Sequence, residues 1–238
     1  MQNIVKQFSK KLSRIEKGLI LSAFILFLSW ILALFFVGSD VEQGHVYRIL
    51  YIHVPMAWAA FIWLFISCYY AILSLVSKKK SLSFDQKSHA AMELSVVLLF
   101  LVLLTGSIWG RATWGIWWDW EPRLTLSLIL FFMTSSYILF RQFSEDLSSL
   151  RQYASILAIT CAANVPLVYF SVNLWRSLHQ PQTFLRSSEQ NASFDITFVL
   201  FLCSLSLLLV SFFLYKVILQ RIILNHAVTM LVKGQDYD

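Results

Sequence analysis

The chain has 238 residues, 58% of them hydrophobic and only 13% charged, with a formal net charge of +6. An ordinary soluble domain carries about 25% charged residues, so this composition excludes one and points to an all-α integral membrane protein. The charges fall in short blocks between long apolar runs, so the positive balance reads as loop topology and not as affinity for nucleic acid.

Residues 1–17 carry Lys6, Lys10, Lys11, Arg14 and Lys17. The first apolar run, 18–37, lacks a small-residue cleavage site and is expected to stay as a span. A polar stretch, 38–53, leads to span two at 54–76. A basic loop with Lys78, Lys79, Lys80 and Lys87 precedes span three at 92–109. The Trp-rich segment 109–125 follows, then span four at 122–140, span five at 153–172, and span six at 194–215. The expectation is one six-span membrane domain over 1–238.

Six spans place both termini on one side. Fourteen Lys and Arg fall on that side, against five on the other: Arg48, Arg111, Arg123, Arg176 and Arg186. The positive-inside rule then makes both termini cytoplasmic and turns the Trp-rich segment outward. No Asp, Glu, Lys, Arg or His lies mid-span, which weighs against an ion-coupled transporter or proton pump. Asn164 and Pro166 interrupt span five, which a packing kink explains as well as a substrate site does. Cys68, Cys161 and Cys203 stand singly in apolar runs and write no C-x-x-C or C-x-x-C-H motif.

The segment WGRATWGIWWDWEPRLT holds five of the nine tryptophans, at 109, 114, 117, 118 and 120. Trp prefers the membrane-water boundary, but a belt needs only one or two per span end. A stacking platform for a flat ligand is the other reading, and the aromatic count leaves the two about even. Trp114, Trp117, Trp118 and Glu121 stand at i, i+3, i+4 and i+7, one face of a helix. This spacing predicts a short surface helix in the outer loop between spans three and four, broken near Glu121-Pro122. Glu121 then either caps span four, where the helix dipole favours a carboxylate, or meets a ligand.

Of the five histidines, His89 and His226 lie in or near cytoplasmic basic segments and read as solvated. His45, His53 and His179 lie outside. His53 precedes Val54-Pro55, and proline favours the first helical turn. His53 is therefore expected at the mouth of span two, just outside the helix. His179 sits in SVNLWRSLHQP past span five. Two outward histidines beside a Trp shelf suggest a reversibly held haem, because imidazole is a common axial ligand to its iron. Each histidine alone has an ordinary interfacial reading. Arg48, Arg123 and Arg176 are candidate partners for the porphyrin carboxylates, since guanidinium binds them through paired hydrogen bonds.

WGIWWDWEPRLT resembles the tryptophan-rich WWD signature of the haem-handling membrane proteins of cytochrome c maturation, and in particular the CcmC type, approximately WGxWWxWDxRLT. YRILYIHVPMAW resembles that family's first outer segment, with its histidine at His53. NVPLVYFSVNLWRSLHQ resembles the segment ending span five, with its histidine at His179. The resemblance runs from about residue 18 to 215. It implies haem b held non-covalently and transiently at the periplasmic face of a bacterial inner membrane, with His53 and His179 as axial ligands to the iron. It implies a platform of Trp114, Trp117, Trp118 and Trp120, with Glu121, Arg123 and Arg48 at its edge. The implied partners are a periplasmic haem chaperone, a small membrane helper protein and the ABC transporter subunits of the pathway, together with membrane lipid. Glu121 stands where Asp is commonest and Pro122 where a small residue is frequent. Arg123-Leu124-Thr125 separates the chain from the larger haem lyases. Three functions are weighed: haem presentation, a lyase that forms the covalent haem-protein bond, and a haem or solute permease.

Overall fold

The computed structural model describes residues 2–40, 43–77, 79–143, 147–175 and 194–235. Among these described residues six α-helices follow one another: α1 (Gln2–Phe35), α2 (Leu50–Val76), α3 (Ser81–Trp114), α4 (Pro122–Phe143), α5 (Leu147–Leu174) and α6 (Phe194–Gln235). A short 3-10 helix, His45–Ile49, leads directly into α2. All six are long and apolar enough to cross a membrane, as the apolar runs predict: a buried backbone in hydrocarbon must satisfy its own hydrogen bonds. The chain is a multi-pass membrane protein.

The helices outrun the apolar stretches that announce them. Span three, expected at 92–109, is part of a helix over 81–114, and span six, expected at 194–215, is part of α6, which continues to Gln235. Hydropathy marks where the chain leaves hydrocarbon, whereas a helix ends only where its backbone bonding is interrupted. At α3 that interruption is Gly115, whose φ of 79° is the left-handed turn that closes a helix.

α2 and α3 form a hairpin, as do α4 and α5, and α2 also packs on α5 and α6. α1 runs along α6 in a fixed register. Cys203 Sγ donates to the Ser29 carbonyl at 3.6 Å, Ser206 Oγ bonds Ser29 Oγ at 3.2 Å, and Gly18 lies under the Phe213 ring. The interior seams are lined by Ala59, Ala60, Ala71, Ala90, Ala91, Ala154 and Ala158, all fully buried. Small side chains let helix backbones approach where lipid removes the hydrophobic drive to associate. Large apolar residues such as Phe24, Phe27, Phe100 and Phe132 point outward instead.

Two polar layers interrupt this packing. One contains Asp85, Arg141, His89, Glu93 and Arg221. The other contains His53, Thr105 and Trp109. Asp85 and Thr105 are twenty residues apart on α3, or about 30 Å along a helix, one hydrocarbon thickness.

Candidate functional site

The antiparallel order gathers the end of α1, the start of α2, the end of α3, the start of α4 and the end of α5 at one end of the bundle. Several short-range devices shape this end. Asp40 and Gly44 exchange two backbone hydrogen bonds, 3.2 and 3.0 Å, and Asp40 Oδ1 accepts from Gln43 N at 2.8 Å. Gly44, at φ 58°, turns the chain into the 3-10 helix. Arg48, at the end of that helix, reaches back through Nη2 to the Val37 carbonyl at 3.1 Å. The first loop is thereby tied to both α1 and α2.

His53 lies within α2, four residues into it, and not outside the helix as the following proline suggested. The 3-10 helix begins the helical path before Leu50, so Pro55 falls in the second turn of α2. Pro55 cannot donate the helical hydrogen bond that its position would otherwise make there. The half-buried His53 ring packs against α3. Its Nδ1 is 2.9 Å from Thr105 Oγ1, and the Trp109 ring meets it edge-on at 5.7 Å and 77°. Trp109 is itself held by Nε1 donating to Gln43 Oε1 at 2.9 Å. Gly106 leaves room for the ring, since a Cβ at that position would stand 3.0 Å from His53 Cε1.

The tryptophan segment is not a surface helix. Trp114 is the last residue of α3, and Trp117, Trp118 and Trp120 follow on an irregular stretch. The i, i+3, i+4, i+7 spacing is interrupted by Gly115, which takes the left-handed turn, and Arg111 Nη1 donates to the Gly115 carbonyl. Trp114 folds back on Gly110, whose position would bring a Cβ within 3.3 Å of its ring. Trp118 and Trp120 meet edge to face at 5.8 Å. Trp117 and Trp120 are 61% and 73% exposed, two broad aromatic faces that the described residues leave uncovered.

Glu121 is the cap of α4. It is buried, and its Oε1 accepts from Leu124 N at 3.0 Å, while its carbonyl accepts the first helical bond from Thr125 N. Of the two roles weighed for this carboxylate, capping is the one these contacts establish. Pro122 follows at the first helical position, where a missing amide hydrogen is harmless. Arg123 turns back to the end of α5 through Nη2, donating to the Tyr169 carbonyl at 3.0 Å. Four atoms at this end are buried without a hydrogen-bond partner among the described residues: Arg48 Nε, Tyr51 Oη, Trp118 Nε1 and Thr125 Oγ1. His179 and Arg176 lie outside the described residues.

Among the described residues no group of three His, Cys, Asp or Glu side chains is placed to hold a metal ion. A metal held at His53 would therefore bring most of its own ligands, as a porphyrin does. The donor set fits such a group: an imidazole, exposed indole faces, two arginines and buried donors without partners.

At the opposite end the sequence reading missed a second constellation. Arg141 forms a two-pronged pair with Asp85, 2.8 and 2.7 Å, and bonds the Tyr137 hydroxyl at 3.2 Å. Glu93 pairs with His89 at 3.1 Å and with Arg221. His89, read as solvated, is half-buried against the Tyr137 ring at 6.0 Å. Its i, i+4 spacing to Glu93 was the available signal. The partners on α4 and α6 lie 56 and 128 residues away in sequence, and no local pattern reports them.

The family described as CcmC, Heme exporter protein C, matches residues 3–233. The Heme exporter protein C of Bradyrhizobium diazoefficiens is 36% identical over 176 residues, which are 73% of this chain and 66% of that protein. A putative cytochrome c biosynthesis ccmC-like mitochondrial protein of Marchantia polymorpha is 36% identical over 152 residues, 64% of this chain and 63% of that protein. The Heme exporter protein C of Escherichia coli strain K12 is 34% identical over 171 residues, 71% of this chain and 68% of that protein. The chain thus spans about two thirds of the length of these relatives.

Proposed function

The chain belongs to the CcmC, or heme exporter protein C, family, and we propose that it binds haem at the outer face of the membrane and presents it to a periplasmic haem chaperone during cytochrome c biogenesis. The observation that carries this reading is the setting of His53. A half-buried imidazole is held by α3 against Thr105 and Trp109, at the bundle end that also carries the exposed Trp117 and Trp120 and where Arg48 Nε and Trp118 Nε1 have no partner among the described residues. The names of the relatives, heme exporter and cytochrome c biosynthesis protein, support the ligand class.

When bound, haem supplies an iron with two axial positions and a flat ring with two carboxylates. The chain's part is to hold it. His53 and His179 are the residues that would hold the iron. Trp114, Trp117, Trp118 and Trp120 cover part of the ring. Arg48 and Arg123 neutralise the carboxylates, and Trp118 Nε1 and Thr125 Oγ1 donate to them. Glu121 acts through α4, fixing the first turn that carries Arg123. Binding is non-covalent and transient, and haem b is the form bound. The small membrane helper and the ABC transporter subunits act with it at the inner membrane. The charge count supports cytoplasmic termini and a periplasmic haem site.

The test is haem content and absorption of the detergent-purified protein, oxidised and reduced, for the parent and for His53→Ala, His179→Ala and the double variant. The singles should lose haem or change its spectrum, and loaded parent protein should release haem to the purified chaperone. A double variant with the parent's haem content and spectrum would overturn the ligand assignment.

A further inference from the structure

We infer that Thr105 is a positioning residue for His53: its hydroxyl, seated on α3, fixes the imidazole in the tautomer and orientation that an Nε2 axial ligand requires. This rests on the reading of His53 as a haem ligand.

The inference follows from counting protons. The Thr105 hydroxyl has one, and its shortest contact is to a group that can only accept, the Leu101 carbonyl 2.7 Å from Oγ1, with that of Val102 at 3.3 Å. Toward His53 Nδ1, 2.9 Å away, the same oxygen is therefore an acceptor. A neutral imidazole that donates from Nδ1 keeps its lone pair on Nε2. A ligating histidine commonly donates its other ring N–H to a fixed acceptor, which sets the ring and raises its basicity.

The neighbours of Thr105 complete a seat. Thr105, Gly106 and Trp109 stand at i, i+1 and i+4 on α3, so the first and last lie on one face, with glycine beside them. Gly106 lets the ring lie against the helix, with the nearest position for a Cβ only 3.0 Å from Cε1. Trp109 meets the ring edge-on, and its own Nε1 is anchored on Gln43. Hydroxyl, cleft and indole act at different points of the imidazole, so the ring cannot rotate without losing one of them. The Thr105 hydroxyl is the contact here that bears on the tautomer.

Two measurements test this separately from the ligand assignment. The first needs no haem: ¹⁵N NMR of haem-depleted, histidine-labelled protein. His53 should be the Nδ1–H tautomer in the parent and in Thr105→Ser, and a mixture in Thr105→Val. The second is haemin titration with the reduction potential of the loaded protein. Thr105→Val should bind haemin about 10-fold to 100-fold more weakly. Its potential should rise, because a less basic imidazole favours the ferric ion less, by about 59 mV for each tenfold of that preference lost. Thr105→Ser should stay with the parent. If Thr105→Val does not accumulate, Thr105→Ala makes the same comparison. A hydroxyl-free variant with the parent's tautomer, affinity and potential overturns the inference. If His53→Ala leaves affinity and spectrum unchanged, the ligand reading falls, and the tautomer result reports on the seat alone.

Discussion

Removing one partner of the Asp85–Arg141 pair should destabilise the protein far more than removing both. The two nitrogen-oxygen contacts are 2.8 and 2.7 Å, and the side chains are 10% and 5% exposed for Arg141 and Asp85. Arg141→Met leaves the Asp85 carboxylate buried without its cation. A buried pair broken from one side costs about 3–5 kcal/mol. The lost bond to Tyr137, 3.2 Å, adds to this. Asp85→Leu with Arg141→Met removes both charges and leaves apolar volume, which is often neutral or stabilising by about 1–4 kcal/mol. Unfolding in mixed micelles by detergent titration or by heating measures all four corners of the cycle. For a chain of this size about 2–4 °C accompany each kcal/mol, so the singles should lose roughly 6–20 °C and the double variant should recover most of it. Two singles that each cost less than about 1 kcal/mol and simply add would refute a buried, coupled pair, because that is how a water-screened surface pair behaves.

Other outcomes follow from the same contacts. Gly106→Ala should reduce haem binding without lowering thermal stability, since alanine favours a helix by about 1 kcal/mol over glycine while its Cβ crowds His53; equal haem content in parent and variant would contradict it. Glu121→Ala should cost about 1 kcal/mol of stability through loss of the α4 cap, read by the same unfolding assay. Gly18→Val should part α1 from α6 at Phe213 and lower the yield of a cross-link between cysteines placed at positions 29 and 206. A cysteine at Trp117 should react with a membrane-impermeant maleimide from the periplasmic side and one at Lys10 should not; the reverse pattern would invert the proposed topology.

Much of the fold is legible because one physical rule dominates it. A backbone in hydrocarbon must be helical, so six apolar runs mean six helices. The ends of those helices are not so legible. The basic loop expected before span three is helix from Ser81, and within it Asp85 and Glu93 find Arg141 and Arg221 on other helices. The tryptophan spacing fits a helix by count, but Gly115 within it is the stronger local signal, a left-handed stop directly after Trp114. Glu121 before Pro122 is legible as a candidate cap, one of the two roles open to it, because capping is decided within four residues. His53 is legible as a candidate from its residue type and its proline. Its partner Thr105 is not, since it lies 52 residues away on a helix whose facing is set by packing.

The most direct test of the central claim is electron paramagnetic resonance of the ferric, haem-loaded protein. Two histidine ligands predict a low-spin six-coordinate signal in the parent, conversion to high-spin or loss of haem in His53→Ala and in His179→Ala, and return of the low-spin signal when free imidazole is added to either. A parent signal that persists unchanged in His53→Ala would contradict the account, because the residue around which the site is built would then not be holding the iron.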